Sequence, residues 1–206
     1  MVNVENLKQT VLKWLSNGKE DAKTLVDLQW KLKWDRWHLI LENEKIPFNF
    51  LIGFHEEALH ITLETDIETA VMDTQQRLAI YRVLLILNQR IDLAKFMLFG
   101  INEEVIVRVD LATDSLSREE LNLSLNILLS SLYLMVNTLH LEEEMQNLVR
   151  ERMLMMIQDL ISQGKSRDDI LQFMTKNLGI NTQDAERMLD QIMPQHKEDQ
   201  QDSMYR

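Results

Sequence analysis

Residues 104–111 read Glu-Val-Ile-Val-Arg-Val-Asp-Leu. Val105, Val107, Val109 and Leu111 fall on one side of this run, and Ile106, Arg108 and Asp110 on the other. That is the period of a strand with one face in a core and the other at least partly wet. The period recurs upstream. Trp37, Leu39 and Leu41 alternate with His38, Ile40 and Glu42. A run from Ile46 to Ile52 follows across a polar Glu-Asn-Glu-Lys turn, and Ala58 to Thr65 follows across His55-Glu56-Glu57. Three strands joined by short polar connections predict an antiparallel meander. Pro47 has no ladder donor and belongs at a strand start or edge. Ala94 to Ile101 pairs with 104–111 as a hairpin across Asn102-Glu103.

Between and around these runs the period is helical. Val4, Leu7, Val11, Leu12 and Leu15 predict a first helix from Val4 to Ser16, ended by Asn17-Gly18. A short helix or turn covers Ala22 to Leu28. From Thr69 to Gln89, Leu78, Tyr81, Val83, Leu84, Leu85 and Leu87 form an apolar arc so broad that the helix is expected to be well buried. Ser117-Arg118-Glu119-Glu120 is a capping box opening a helix through Leu121, Leu125, Leu128, Leu132 and Met135 to about Leu141. Glu142-Glu143-Glu144 has no apolar anchor and marks a boundary. Beyond it, Met145 to Gln163, a helix opened by Ser166-Arg167-Asp168-Asp169 that stops near Gly179, and a third capped by Asn181 or Thr182 and ended by Pro194 form a three-helix unit. The expected organisation is α+β: a sheet-bearing domain over 1–144 with about five strands, a three-helix annex over 145–194, and a disordered tail over 195–206.

Composition narrows the function classes. The 206 residues are 45% hydrophobic and 27% charged, as in a globular protein. Cysteine is absent, which removes disulfides, thiolate metal sites and a cysteine nucleophile. The formal charge is −11. It resides mainly in residues 1–144, with 14 Lys+Arg against 23 Asp+Glu, whereas 145–193 hold 6 against 7. That balance argues against nucleic acid, whose phosphates are bound through Lys and Arg, and favours solubility and basic partners. No basic and apolar leader follows Met1, and apolar runs such as Val83 to Leu87 are far shorter than a bilayer span. A cytoplasmic protein without membrane contact is expected.

The order helix, meander, helix, hairpin, long helix, ending in Val-Ile-Val-Arg-Val-Asp-Leu followed by Ser-Arg-Glu-Glu-Leu-Asn-Leu-Ser-Leu, resembles the YbjN-like and type III secretion chaperone-like superfamily over about 140 residues. The resemblance implies a twisted antiparallel sheet with helices packed on one face. It also implies small, acidic, often homodimeric proteins that hold protein or peptide segments without hydrolysing anything. It offers no catalytic residues and no cofactor. The annex departs from the usual single-domain form. It is similar in size and helix order to ubiquitin-associated-like domains but carries Ser162-Gln163-Gly164-Lys165-Ser166 where their Met-Gly-Phe-type loop stands.

The residues themselves carry little chemistry. His55-Glu56-Glu57-Ala58-Leu59-His60 lacks the four-residue helical spacing of a metalloprotease, and its odd offset predicts rings on opposite faces of a strand. There is no Gly-x-Ser-x-Gly and no Gly-rich phosphate loop. No enzyme, metal or cofactor is expected. Two clusters are candidates for partner binding. Trp30, Trp34 and Trp37, among Lys31, Lys33 and Arg36, form either an aromatic-basic platform or the packing between the first helices and the first strand. Met155, Met174 and Met188 line either the annex core or a soft peptide groove. The expected function is a chaperone-like or adaptor module. The alternative is a small-ligand-sensing domain with the annex as output.

Overall fold

A computed structural model describes residues 4–19, 21–176, 178 and 180–193. Pro194, Gly179 and the tail 195–206, to which the sequence reading assigns helix stops and disorder, lie outside the described residues. The chain divides into two compact units, residues 1–149 and 150–206.

Helix α1, Val4–Ser16, buries Leu7, Val11 and Leu15, the residues its helical spacing selects. A 3₁₀ turn at Leu25–Asp27 follows. The chain crosses itself here: the Lys19 amide donates to the Asp27 carbonyl at 2.7 Å. A Cβ on Gly18 would collide with the Leu28 carbonyl, so only glycine fits this crossing.

Six strands form one antiparallel sheet: β1 Lys31–Trp34, β2 His38–Asn43, β3 Ile46–Phe54, β4 Ala58–Glu68, β5 Ala94–Phe99 and β6 Glu104–Ala112. Their order is β1-β2-β3-β4-β6-β5, a meander to which the β5–β6 hairpin is added through β6. The sequence reading anticipates five of these strands and misses β1. That strand is four residues long and mostly exposed. Its register sets Lys31 opposite Glu42 and Lys33 opposite Ile40. Its residues do alternate, Leu32 and Trp34 against Lys31 and Lys33, but the run is short and carries the charge of an edge strand. The hairpin also differs: β5 ends at Phe99, and the turn includes Gly100 at φ 69° and Glu103 at φ 51°. Ile101 consequently lies in the turn, almost fully exposed.

Leu39, Leu41, Phe50, Ile52, Leu59, Ile61, Leu63, Val105 and Val107 line one face of the sheet with essentially no exposure. Helix α3, Arg118–Leu139, packs against β4, β5 and β6 on this face. Its capping box forms as expected, with the Glu120 amide donating to the Ser117 hydroxyl at 3.1 Å and the Ser117 amide donating to the Glu120 carboxylate at 2.9 Å. Leu121, Leu125, Leu128 and Leu132 are fully buried. Each such side chain contributes about 1.5–3 kcal/mol over an exposed one. By length and composition α3 is apolar enough to cross a membrane, although the longest apolar runs noted in the sequence fall far short of that. The signal missed there is the lack of any Asp, Glu, Lys or Arg from Leu121 to Leu141.

Helix α2, Thr74–Arg90, starts five residues later than predicted, with Asp73 capping the amides of Gln75 and Gln76. Thr69 is instead buried, its hydroxyl donating to the Glu103 carbonyl at 2.8 Å. The expectation that α2 is well buried is also corrected. Ile80, Leu84 and Leu87 face the core, but Leu78 is 62% and Leu85 70% exposed, with Ile86 also outside.

The second unit has its own core of Ile157, Ile170, Met174, Ala185 and Leu189. These come from α4 (Glu142–Ser162), α5 (Arg167–Lys176) and α6 (Thr182–Ile192). Helix α4 therefore begins at the acidic run rather than after it. Gly164 at φ 72° ends α4. The Ser166 hydroxyl accepts from the Asp169 amide at 3.1 Å, and Asn181 caps α6 by accepting from the Asp184 amide at 2.9 Å.

Candidate protein-binding surface

The tryptophan cluster is divided by the fold. Trp30 is buried, with its indole N–H donating to the Leu25 carbonyl at 2.8 Å and its ring edge-on to Phe50 at 5.7 Å. It is a core residue and presents nothing to a partner. Trp34 is half exposed, tilted against Phe54 at 5.9 Å, with the Lys8 ammonium 5.7 Å from its ring centre. Trp37 is the most exposed of the three, and the Arg36 guanidinium lies 5.2 Å from its ring. The contacts with Leu25 and Phe50 hold Trp30 in the core, leaving Trp34 and Trp37 as the accessible pair.

The methionines divide in the same way. Met174 is fully buried and Met188 packs partly buried against the same small core. Met155 alone of the three is largely exposed. A core of five buried side chains needs Met174 as filling, which removes it from any groove.

A polar cluster stands at one end of the sheet, on the face opposite the core. His38, Gly53, His60 and Asp110 are register partners in one row across β2, β3, β4 and β6. Contrary to the sequence reading, the His55 and His60 rings meet edge to face, 4.3 Å apart. His55 lies in the turn after β3, closed by its amide donating to the Ala58 carbonyl at 3.1 Å, so strand alternation does not pass through it. A Cβ on Gly53 would stand 3.4 Å from His38 Cδ2 and 3.5 Å from His55 Nε2, so the missing side chain leaves a hollow between these rings. His60 Nδ1 lies 2.9 Å from Asp110 Oδ1, to which Arg108 Nε also donates at 2.6 Å. Asp35 accepts from the amides of Trp37 and His38, and those two bonds hold its carboxyl below the usual range. Among the described residues no group of three or more His, Cys, Asp or Glu is disposed to hold a metal ion.

The larger exposed feature is apolar and was not singled out in the sequence. The outward side of α2 carries Leu78, Leu85 and Ile86, and that of α3 carries Leu123, Tyr133 and Leu134. The two helices pack against each other, and α2 also packs on β5. The breadth of the α2 arc signalled this surface, but breadth by itself is equally compatible with burial. A carboxylate network braces the start of α2. Glu103 accepts from the Tyr81 hydroxyl at 2.7 Å and from Arg77 at 3.3 Å, and these two groups hold its carboxyl below the usual range. The neighbouring Glu104 is shifted upward by burial.

These features define an α+β domain with a one-sided helical layer and partly apolar outer helices, followed by a small helical unit. The chain belongs to the DUF8183 family, a domain of unknown function matched over residues 10–139. A second family, HTH_78, likewise a domain of unknown function, matches residues 140–206. No curated protein matches the chain.

Proposed function

We propose that the chain is a non-enzymatic protein-binding module, chaperone-like or adaptor in character. The observation that carries this reading is the pair of outward apolar faces on α2 and α3. Leu78 and Leu85 are each more than 60% exposed on a helix already anchored by its other side. Clusters of large apolar side chains at a surface mark interaction sites, whereas single ones are ordinary. The resemblance to YbjN-like and secretion chaperone-like proteins is consistent with this reading.

The name HTH_78 points to a helix-turn-helix arrangement in the second unit. Its last helix carries Asp184, Glu186 and Asp190 against Arg187. A phosphate backbone would meet net negative charge there, which favours a protein contact over nucleic acid.

The test is site-specific photo-crosslinking of the full chain in cells. A crosslinking residue at Leu85 is expected to give discrete protein adducts, and one at Lys31 on the charged β1 edge to give none. Equal labelling at both positions, or none at either, would overturn the reading. The homodimer implied by the resemblance is best accommodated on α3, where self-contact meets no charge between Leu121 and Leu141. Leu134→Glu is expected to shift sedimentation from dimer to monomer, and an unchanged profile would exclude this face.

A further inference from the structure

We infer that the outer face of α2 is a docking site for an acidic amphipathic helix of a partner protein. The inference rests on the protein-binding reading and specifies the partner's chemistry.

β5 is a sheet edge, and an open edge would recruit a strand. Here it is closed at its centre. The Phe96 amide donates to Asn88 Oδ1 at 2.7 Å, and Asn88 Nδ2 donates back to the Phe96 carbonyl at 3.0 Å. The Asn88 side chain thus occupies both backbone groups that a docking strand would need at Phe96. The Lys95 ammonium folds back onto the carbonyls of Asn88 and Ile91 at the C-terminal end of α2. A strand cannot pair at Phe96 without displacing Asn88, so a partner on α2 engages side chains. On α2 these are Leu78, Arg82, Leu85, Ile86 and Gln89, all exposed and spaced at helical intervals along one stripe. The stripe spans ~16 Å, the length of about three helical turns. Apolar anchors at such intervals are what an amphipathic helix reads.

The chain carries −11 overall, yet α2 holds Arg77, Arg82 and Arg90 and no acidic residue. The nearest acids in sequence, Asp73 and Asp92, lie beyond its ends, and Asp73 is engaged as the cap. Arg77 is paired with Glu103. Among the described residues none pairs with Arg82 or Arg90. A second copy docked antiparallel on the same stripe would bring Arg82 close to its equivalent, because Arg82 lies midway between Leu78 and Leu85. Like charges at a contact oppose association. An acidic helix instead places carboxylates on Arg82 and Arg90 while its apolar side covers Leu78, Leu85 and Ile86.

Fluorescence anisotropy of the full chain tests this with two labelled helical peptides. They share leucines at i, i+4 and i+7 and differ only in flanking glutamates or lysines. The glutamate peptide is expected to bind at least about tenfold more tightly, and to weaken as salt is raised. Leu85→Ser is expected to weaken it about tenfold and Arg82→Glu to reverse the preference, while Leu123→Ser on α3 leaves it unchanged. Circular dichroism checks that these exposed substitutions leave the fold intact. Equal binding of both peptides, or loss through Leu123→Ser alone, would overturn the α2 assignment. So would sedimentation showing that Leu85→Ser abolishes self-association, because the occupant would then be a second copy. If Leu85 crosslinks to protein but the glutamate peptide does not bind, only the acidic-helix inference falls. If neither occurs, the protein-binding reading falls with it.

Discussion

Glu103 and Glu104 are adjacent residues with opposite electrostatic consequences. Glu103 sits in the left-handed region and accepts from Tyr81 and Arg77, so its folded carboxyl titrates below the unfolded one. A depressed carboxyl contributes stability that is fully present above the unfolded value and is lost as pH falls through the folded value. Burial raises Glu104, so its contribution has the reverse sign: present at low pH and lost as pH rises through its folded value. Thermal midpoints of wild type and Glu103→Gln are therefore expected to diverge at neutral pH and converge in acid. A constant difference across that window would show that the network acts through shape and not charge. At this scale no local pattern in the sequence signals the contact. Arg77 and Tyr81 lie one turn apart on α2, but Glu103 is more than twenty residues further on, and only the packing of α2 beside the β5–β6 turn brings it to them. The His55–His60 contact has the same origin. Strand alternation placed those rings on opposite faces, and a turn between the strands overrode it.

Helix α2 is the element whose burial departs furthest from its apolar pattern. Its apolar residues cover nearly the whole circumference, and the ordinary inference from such an arc is burial. The sheet has one core face, α3 occupies its centre, and α2 lies beside it over β5. One side of α2 is thereby left without a neighbour in its own domain. Asn88 gives this element a second task, that of closing the sheet edge. Asn88→Ala leaves the Phe96 amide and carbonyl without that partner and is expected to cost about 1–3 kcal/mol in denaturant unfolding. Because the same change opens the edge, it is also expected to promote strand-mediated aggregation. Unchanged stability would mean that water replaces the side chain without loss. By contrast, the elements with a single clear period were legible: α1, β2, β3, β4 and β6 lie where their spacing placed them, and the capping box at Ser117 forms as written.

For the whole molecule, net charge and apolar helix faces act against each other. The strongly negative charge opposes association beyond the proposed dimer at neutral pH, and the sequence isoelectric point is about 4.9. Light scattering is expected to rise as pH falls toward that value, and to rise less in a Leu134→Ser variant of unchanged charge. Equal scattering would detach self-association from the α3 face. The sequence by itself determined the class of fold, the antiparallel meander and hairpin, the main helices, and the concentration of acid in the first part of the chain. These depend on local periodicity, capping and composition, which are properties of neighbours in the chain. Tertiary structure alone decided that Trp30 and Met174 are core, that β1 forms the sixth strand, that three histidines gather near Gly53, and that α2 presents a cationic, apolar face outward. Each depends on which surfaces are already covered once the sheet and α3 have packed. A residue's type states what it would gain from burial, but not whether a neighbour is there to bury it.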